Sequence, residues 1–213
     1  MEIKNAIQQL NEELSLIVSH VDALDEATFV SKINEDKWSV AEHLVHLSLA
    51  LLPVNNLFKQ PEMMLERWGN SNRKSRDFNT FLEDYKNAVA QADWKAFPPF
   101  VPKSATESAD YLQKHSTTSE NKKNDFYQLT GENIKGLRDK IQLDGNASKA
   151  EIITGFEQQY QIFFQLVSQL SNENLDACQL PLPYVGLITC KEMIYFTYNH
   201  TKVHRLAIER NQK

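Results

Sequence analysis

The fold is decided by Trp38-Ser-Val-Ala-Glu-His-Leu-Val-His46, together with a second stretch, Tyr198-Asn-His200-Thr-Lys-Val-His204. Because His200 and His204 are four residues apart, a helix would place their imidazoles one turn apart on one face, where both can reach one metal ion. A third imidazole from a neighbouring helix would complete a three-nitrogen site with an open coordination position, which a catalytic metal needs. The two stretches therefore predict two neighbouring helices with metal-ligating histidines between them.

The identity of the third histidine is open at this point. A lone histidine usually binds a carbonyl or faces solvent, and H-x-x-x-H is a common accidental spacing. His43 and His46 are three residues apart, so either could face inward. His46 is favoured because it lies beside the apolar stripe, two turns inside the helix, whereas His43 lies in the first turn and is expected to face solvent. His20 and His115 lie in polar surroundings and are expected at the surface.

The composition favours a single α-helical domain. The chain has 213 residues, of which 41% are hydrophobic and 24% charged, with 6 glycines and 7 prolines. Because glycine and proline are this scarce, the sequence favours helices over a β architecture with many turns. The length is typical of one domain, which would span residues 1–213. No alternation of period two stands out, so no sheet is predicted.

Charge and cysteine content limit the partners and the compartment. The net charge of −5 argues against a nucleic-acid binder, and the Arg73–Arg76 cluster is interpreted as a solvated loop. Cys178 and Cys190 form no disulfide framework and are interpreted as small apolar fillers. The longest apolar run, at 47–54, is too short to span a bilayer. We therefore expect a soluble cytoplasmic protein with no nucleic-acid and no membrane partner.

Capping boxes mark four helix starts. In this motif a hydroxyl and a carboxylate three residues later each accept a backbone N–H that the first turn leaves unpaired. The pairs are Ser39/Glu42, Ser104/Glu107, Ser148/Glu151 and Thr189/Glu192. The boxes and the spacing of apolar residues together predict six helices. The second begins at residue 40 and is kinked or ended by Pro53; the others span 2–24, 80–91, 108–141, 149–170 and 190–210.

Residues 61–103 form a long excursion that is predicted to be irregular outside the helix at 80–91. The prolines of 98–102 bar regular helix there. An excursion of this length in a compact domain is usually functional or disordered. Its aromatic residues favour a packed lid over disorder, and they are Trp68, Trp94, Phe97 and Phe100.

Other catalytic patterns fit less well. A di-iron bundle needs Glu-x-x-His on two helices and a zincin needs H-E-x-x-H, and neither motif occurs in the sequence. Cysteine catalysis is disfavoured because Cys190 precedes His200 by ten residues on one helix, about 15 Å at the usual rise. The three-histidine site therefore carries the functional prediction.

Both decisive stretches are similar to signatures of one known superfamily. The first resembles the second-helix signature of the DinB-like superfamily, which includes bacillithiol S-transferase-like proteins, and residues 186–204 resemble its last-helix signature. Arg67–Arg76 and Phe100–Lys103 also resemble one branch of it. The resemblance implies an all-α four-helix bundle with an up-down-down-up connection. Here the long irregular excursion would lie between the second and third bundle helices.

The resemblance also implies a divalent metal, zinc or nickel, bound by His46, His200 and His204. Some members of the superfamily that this chain resembles are thiol-dependent transferases or isomerases. The resemblance thus implies a metal-dependent S-transferase that acts in detoxification or stress response. Its partners would be a small-molecule thiol and a small electrophile. One departure is Ala207, where many members have a glutamine that would support a ligand or contact a substrate.

Two alternatives remain open from the sequence. The first is a non-catalytic metal-binding or stress-response bundle that acts as a homodimer. The second is a metal-assisted hydrolase that uses the same three histidines. No catalytic residue other than the metal ligands is predicted.

Overall fold

The computed structural model describes residues 1–34, 37–91, 100 and 147–210, and helices dominate this part of the chain. Four helices are long: α1 (Ile3–Asp22), α3 (Val40–Phe58), α6 (Lys149–Gln169) and α8 (Cys190–Arg210). The shorter helices are α2 (Glu26–Val30), α4 (Pro61–Trp68), α5 (Phe78–Gln91) and α7 (Asn172–Ala177). The predicted all-α fold is confirmed.

The four long helices pack around a shared apolar core. Helix α3 packs against α6 and α1 packs against α8, while α8 also contacts α3 and α1 contacts α6. Buried side chains from each helix fill the space between them, including Leu10, Leu44, Phe163 and Ile194. Burying a side chain of this size contributes about 1.5–3 kcal/mol. This packing makes α3 and α8 neighbours, as the histidine pattern requires.

Three of the predicted capping boxes are present. The Ser39 hydroxyl accepts the N–H of Glu42 at 3.2 Å, and the Glu42 carboxylate accepts the N–H of Ser39 at 2.9 Å. The same reciprocal bonds join Ser148 to Glu151 at the start of α6 and Thr189 to Glu192 at the start of α8. The fourth predicted box, at 104–107, and the predicted helix at 108–141 lie outside the described residues.

Pro53 and Pro61 both lie within helices. The sequence predicted a kink or an end at Pro53; the end is wrong, because α3 continues past it to Phe58, and the kink stays a prediction. The stretch after Pro61 was expected to be irregular, but α4 begins at that residue. Proline suits the first turn of a helix because its missing N–H has no intrahelical partner there. The start of α4 at Pro61 therefore fits the chemistry of proline, although the sequence analysis did not predict it.

A small hairpin precedes α8, although the sequence predicted no sheet. Strands β1 (Gln179–Leu182) and β2 (Gly186–Thr189) pair antiparallel, with Gln179 opposite Thr189. The turn between them places Tyr184 at φ 68° and Gly186 at φ 93°, in the left-handed region. Strands of four residues are too short to show a period-two pattern, which explains why the sequence did not reveal them.

The two cysteines meet at the base of this hairpin. The N–H of Cys190 donates to the carbonyl of Cys178 at 3.0 Å, and both side chains are fully buried. Their interpretation as buried fillers fits this environment. Their proximity was not predicted, because it depends on the register of β1 and β2.

None of the helices in the described ranges combines the length and apolar character needed to cross a bilayer.

The basic cluster after α4 is not the solvated loop that was expected. Arg73 and Arg76 both donate to the carboxylate of Glu192, at distances from 2.6 to 3.1 Å, and that carboxylate is fully buried in the first turn of α8. Burial alone would raise the pKa of Glu192, but the hydrogen bonds from Arg73 and Arg76 outweigh it and lower the pKa to about 2. Arg73 and Arg76 therefore anchor the beginning of α8.

Replacing Glu192 by glutamine should lower the free energy of unfolding by about 3 kcal/mol, because two guanidinium groups lose a buried charged partner. Asp84 offers a matched control, since it accepts from Arg76 at 2.8 Å but is about half exposed. Asp84→Asn should cost less than about 1 kcal/mol. Urea denaturation followed by circular dichroism measures both, and equal losses would contradict the structural role of Glu192.

Candidate metal centre

Three of the predicted histidines meet between α3 and α8. The Nε2 atom of His200 lies 3.1 Å from Nε2 of His46 and 3.1 Å from Nε2 of His204. One ring nitrogen from each residue lies within 4.8 Å of the others. Nitrogens bound to one tetrahedral ion at about 2.0–2.1 Å would be about 3.3 Å apart, which is close to the 3.1 Å between His200 and each of its two neighbours. This group of three could hold a divalent metal ion.

Aromatic rings enclose the cluster on two sides. The centroid of Trp38 lies 4.8 Å from that of His46 and 6.0 Å from that of His204, with its ring nearly parallel to His204. Phe196, one turn before His200 on α8, stacks on that imidazole with centroids 4.8 Å apart and planes 18° apart. These contacts restrict rotation of the imidazoles and replace water around them by apolar surface. His200 and His204 nevertheless keep part of their surface exposed.

A backbone carbonyl fixes the protonation of His46. Its Nδ1 lies 2.8 Å from the carbonyl oxygen of Phe100, and that oxygen can only accept a hydrogen bond. The Nδ1 atom therefore carries the proton and donates, so Nε2 of the neutral ring keeps a free lone pair. That lone pair is on the nitrogen that faces His200. This is the arrangement that orients histidines in known metal sites.

His43 takes part in the cluster, which corrects the expectation that it would face solvent. Only 7% of its surface is exposed, and its Nδ1 lies 2.8 Å from Nδ1 of His204. One of these two nitrogens must donate to the other. If His204 donates, its Nε2 is left unprotonated and free for a metal. His43 then supports His204 as the Phe100 carbonyl supports His46.

The surroundings keep the four imidazoles neutral. Desolvation lowers the pKa of His46 to about 4, despite the opposing effect of its bond to Phe100, and desolvation followed by repulsion from His46 lowers that of His43 to about 4. Desolvation and the neighbouring imidazoles hold the pKa values of His200 and His204 well below 6.5. Neutral imidazoles are the form that binds metal ions.

The donor set fits a divalent cation. With protons on Nδ1 of His46 and His204, two Nε2 lone pairs face His200, whose own Nε2 has at most one proton to share between them. A metal ion accepts all the lone pairs at once and removes this conflict. Imidazole nitrogen suits zinc, nickel, copper and iron alike. The metal-ligand group found in the described part of the chain contains no carboxylate, so a bound ion would keep its positive charge.

An apolar pocket opens beside two of the histidines. Its empty volume is about 580 Å³ with the mouth included, and both His46 and His200 line it. The other described lining residues come from α3, α5, α8 and the hairpin, and from Phe100. A ligand in this pocket would therefore contact the same imidazoles that converge at the cluster.

A comparison with protein-family models matches residues 9–208 to the DinB superfamily. The chain belongs to the DinB superfamily. Comparisons with curated proteins and with solved structures gave no match. Superfamily membership and the three-histidine cluster together indicate a metal-binding DinB-like protein. The assignment of His46, His200 and His204 as its ligands stays a prediction, now with a geometry that accommodates it.

Sequence reasoning about this DinB-like chain missed His43 and the pocket. The three-residue spacing of His43 and His46 was noticed, but position in the first turn suggested exposure. The contact with His204 depends on how α8 packs against α3, which no local pattern reports. The predicted surface residue His20 is only partly exposed, and His115 lies outside the described residues.

Replacing His43 by alanine should weaken metal binding about 10–100-fold, because His204 loses the partner that fixes its proton. His43→Asn should restore much of the affinity, since an amide oxygen can accept from Nδ1 of His204 in place of the imidazole. His20→Ala is the control and should bind normally. Competition with a chromogenic chelator measures the affinities, and an unchanged affinity in His43→Ala would refute the supporting role.

The metal-free protein should lose stability as the pH falls from about 6.5 to about 4. The folded-state pKa values of His43 and His46 lie below the ordinary value of 6.5, so the unfolded chain binds more protons in this window. Urea denaturation at pH 7.5, 6 and 5 measures the effect. A double variant with His43→Gln and His46→Gln should show a flatter dependence, and a wild-type profile that is flat or rises toward acid would contradict the shifts.

Proposed function

We propose that this protein is a metal-dependent thiol S-transferase that acts on small electrophiles. The supporting observation is the convergence of three imidazole nitrogens at the edge of an apolar pocket. Three protein ligands leave a coordination position open for a reactant, whereas structural metal sites are usually closed by four. The pocket provides a place for the second reactant next to that position.

The protein would hold zinc or nickel through His46, His200 and His204. Phe100 and His43 would keep the protons of His46 and His204 on Nδ1, away from the ion. A divalent ion bound there lowers the pKa of a thiol that reaches it, so that a thiolate is available near neutral pH. Because all three ligands are neutral, a thiolate would also neutralise part of the charge of the ion.

The reaction requires few other groups from the protein. The thiolate sulfur forms a bond to the electrophilic carbon, the leaving group departs with its bonding electron pair, and the thiol proton passes to solvent. The pocket would hold the electrophile close to the sulfur, and proximity of this kind accounts for a large part of the rate of many enzymes. Access of a thiol to the site is supported by the part of the surface of His200 and His204 that stays exposed.

The zinc- or nickel-loaded protein should consume a thiol together with 1-chloro-2,4-dinitrobenzene, and His200→Ala should reduce the rate at least about 100-fold with a small change in folding. His20→Ala is the matched control, because it removes an imidazole outside the cluster. Absorbance of the thioether product and metal analysis of each variant are the measurements.

The other outcomes identify the rival functions. Product formed without added thiol would replace the transferase by a metal-assisted hydrolase at the same site. Stoichiometric metal without turnover of either kind would favour a non-catalytic metal-binding bundle acting as a homodimer. In that case chelation or His200→Ala should unfold the protein, because a structural metal contributes directly to folding.

A further inference from the structure

We propose that the pocket beside the histidines selects uncharged aromatic compounds, so that the electrophile is a neutral ring compound and the thiol binds elsewhere at the metal. This inference rests on the proposed function and names the substrate class of its site. It is carried by the chemistry of the pocket wall and by the way its rings are arranged.

The wall contains no charged side chain among the described residues that line it. Apart from His46 and His200, those residues are aliphatic, aromatic, proline or methionine. A carboxylate or sulfonate held against this wall, away from the metal position between the histidines, would lose its water without gaining a cationic partner, which is strongly unfavourable. The nearby guanidinium groups of Arg73 and Arg76 do not line the pocket and are occupied by Glu192. The wall therefore disfavours anionic ligands.

The tyrosine of α5 does not add a charge near neutral pH. Tyr85 lines the pocket, and desolvation raises its pKa to about 12. Its hydroxyl therefore remains protonated and can donate to a neutral oxygen such as that of a ketone, ether or nitro group.

The rings of the wall are arranged for a flat ligand. Phe196 stacks on His200, and the ring of Tyr85 meets that of Phe196 edge-on, with centroids 5.3 Å apart and planes 72° apart. A third aromatic ring, Tyr184 of the hairpin turn, is 46% exposed and marks the mouth. Offset and edge-to-face contacts with such rings favour an aromatic ligand beyond the area that it buries.

The pocket also places such a ligand against the metal cluster. His46 and Ala50 lie one turn apart on α3, and both line the pocket, as does His200 from α8. A ring that contacts Ala50 is therefore close to the imidazoles, where a thiolate would attack.

The test uses the full-length protein loaded with zinc and the neutral fluorescent probe N-phenyl-1-naphthylamine. The probe should bind with increased fluorescence and should be displaced by 4-methylanisole at a concentration at least about tenfold lower than by 4-methylbenzenesulfonate. The two competitors share one ring and differ in charge. Equal displacement by both, or tighter binding of the sulfonate, would overturn the inference.

Variants at Ala50 test whether the probe binds in this pocket. Ala50→Phe should fill the pocket and weaken probe binding at least about tenfold, and Ala50→Leu provides a milder test if the larger residue disturbs folding. Val203→Phe is the matched control, because Val203 is 49% exposed and does not line the pocket. If a folded Ala50→Leu protein bound the probe as tightly as the wild type, the probe would lie elsewhere and the inference would fail.

Different measurements test the transferase proposal and the inference about the pocket. If zinc is held and thiol is consumed, but the neutral competitor does not displace the probe, the inference about the pocket is overturned and the proposed function stands. If the neutral ring binds as described but no thiol is consumed, the transferase proposal falls and the pocket remains a site for neutral aromatic ligands.

Discussion

The packing of α3 against α8 is the interaction on which the candidate site depends. It brings Nε2 of His46 to 3.1 Å from Nε2 of His200 and places His43 against His204. Polar rings inside a bundle are unfavourable unless each nitrogen has a partner. Two of these partners come from other parts of the chain: the Phe100 carbonyl lies against Nδ1 of His46, and His43 of α3 lies against Nδ1 of His204. The requirement for partners therefore links the bundle core to the chemistry of the cluster.

Contacts at the start of α8, about ten residues before His200, fix the position of this helix. Thr189 and Glu192 form the capping box at its start, and Glu192 is further held by two arginines from the segment after α4. A helix is stiff, so a fixed start and a fixed rotation determine where His200 and His204 point. A buried carboxylate remote from the metal cluster thus contributes to its geometry without contacting it.

The histidines of the site and the described residues of the pocket wall carry no charge near neutral pH. Desolvation keeps His46 and Tyr85 uncharged near neutral pH, the first by lowering its pKa and the second by raising it. A divalent ion would then be the dominant charge of the pocket. Such a site separates two reactants by their chemistry, since an anion is attracted to the ion and an apolar ring to the wall.

Patterns in the sequence were enough to predict the helical fold, three helix starts that the structure describes, and the pair His200 and His204 with His46 as the favoured third histidine. These features follow from local rules: apolar periodicity, hydroxyl and carboxylate spacing, and two histidines one turn apart. The burial of His43, the pairing of Arg73 and Arg76 with Glu192, and the hairpin and pocket beside the site became visible in three dimensions alone. The physical reason is that burial and pairing depend on which surfaces meet across long sequence separations, and a local pattern holds no information about that contact.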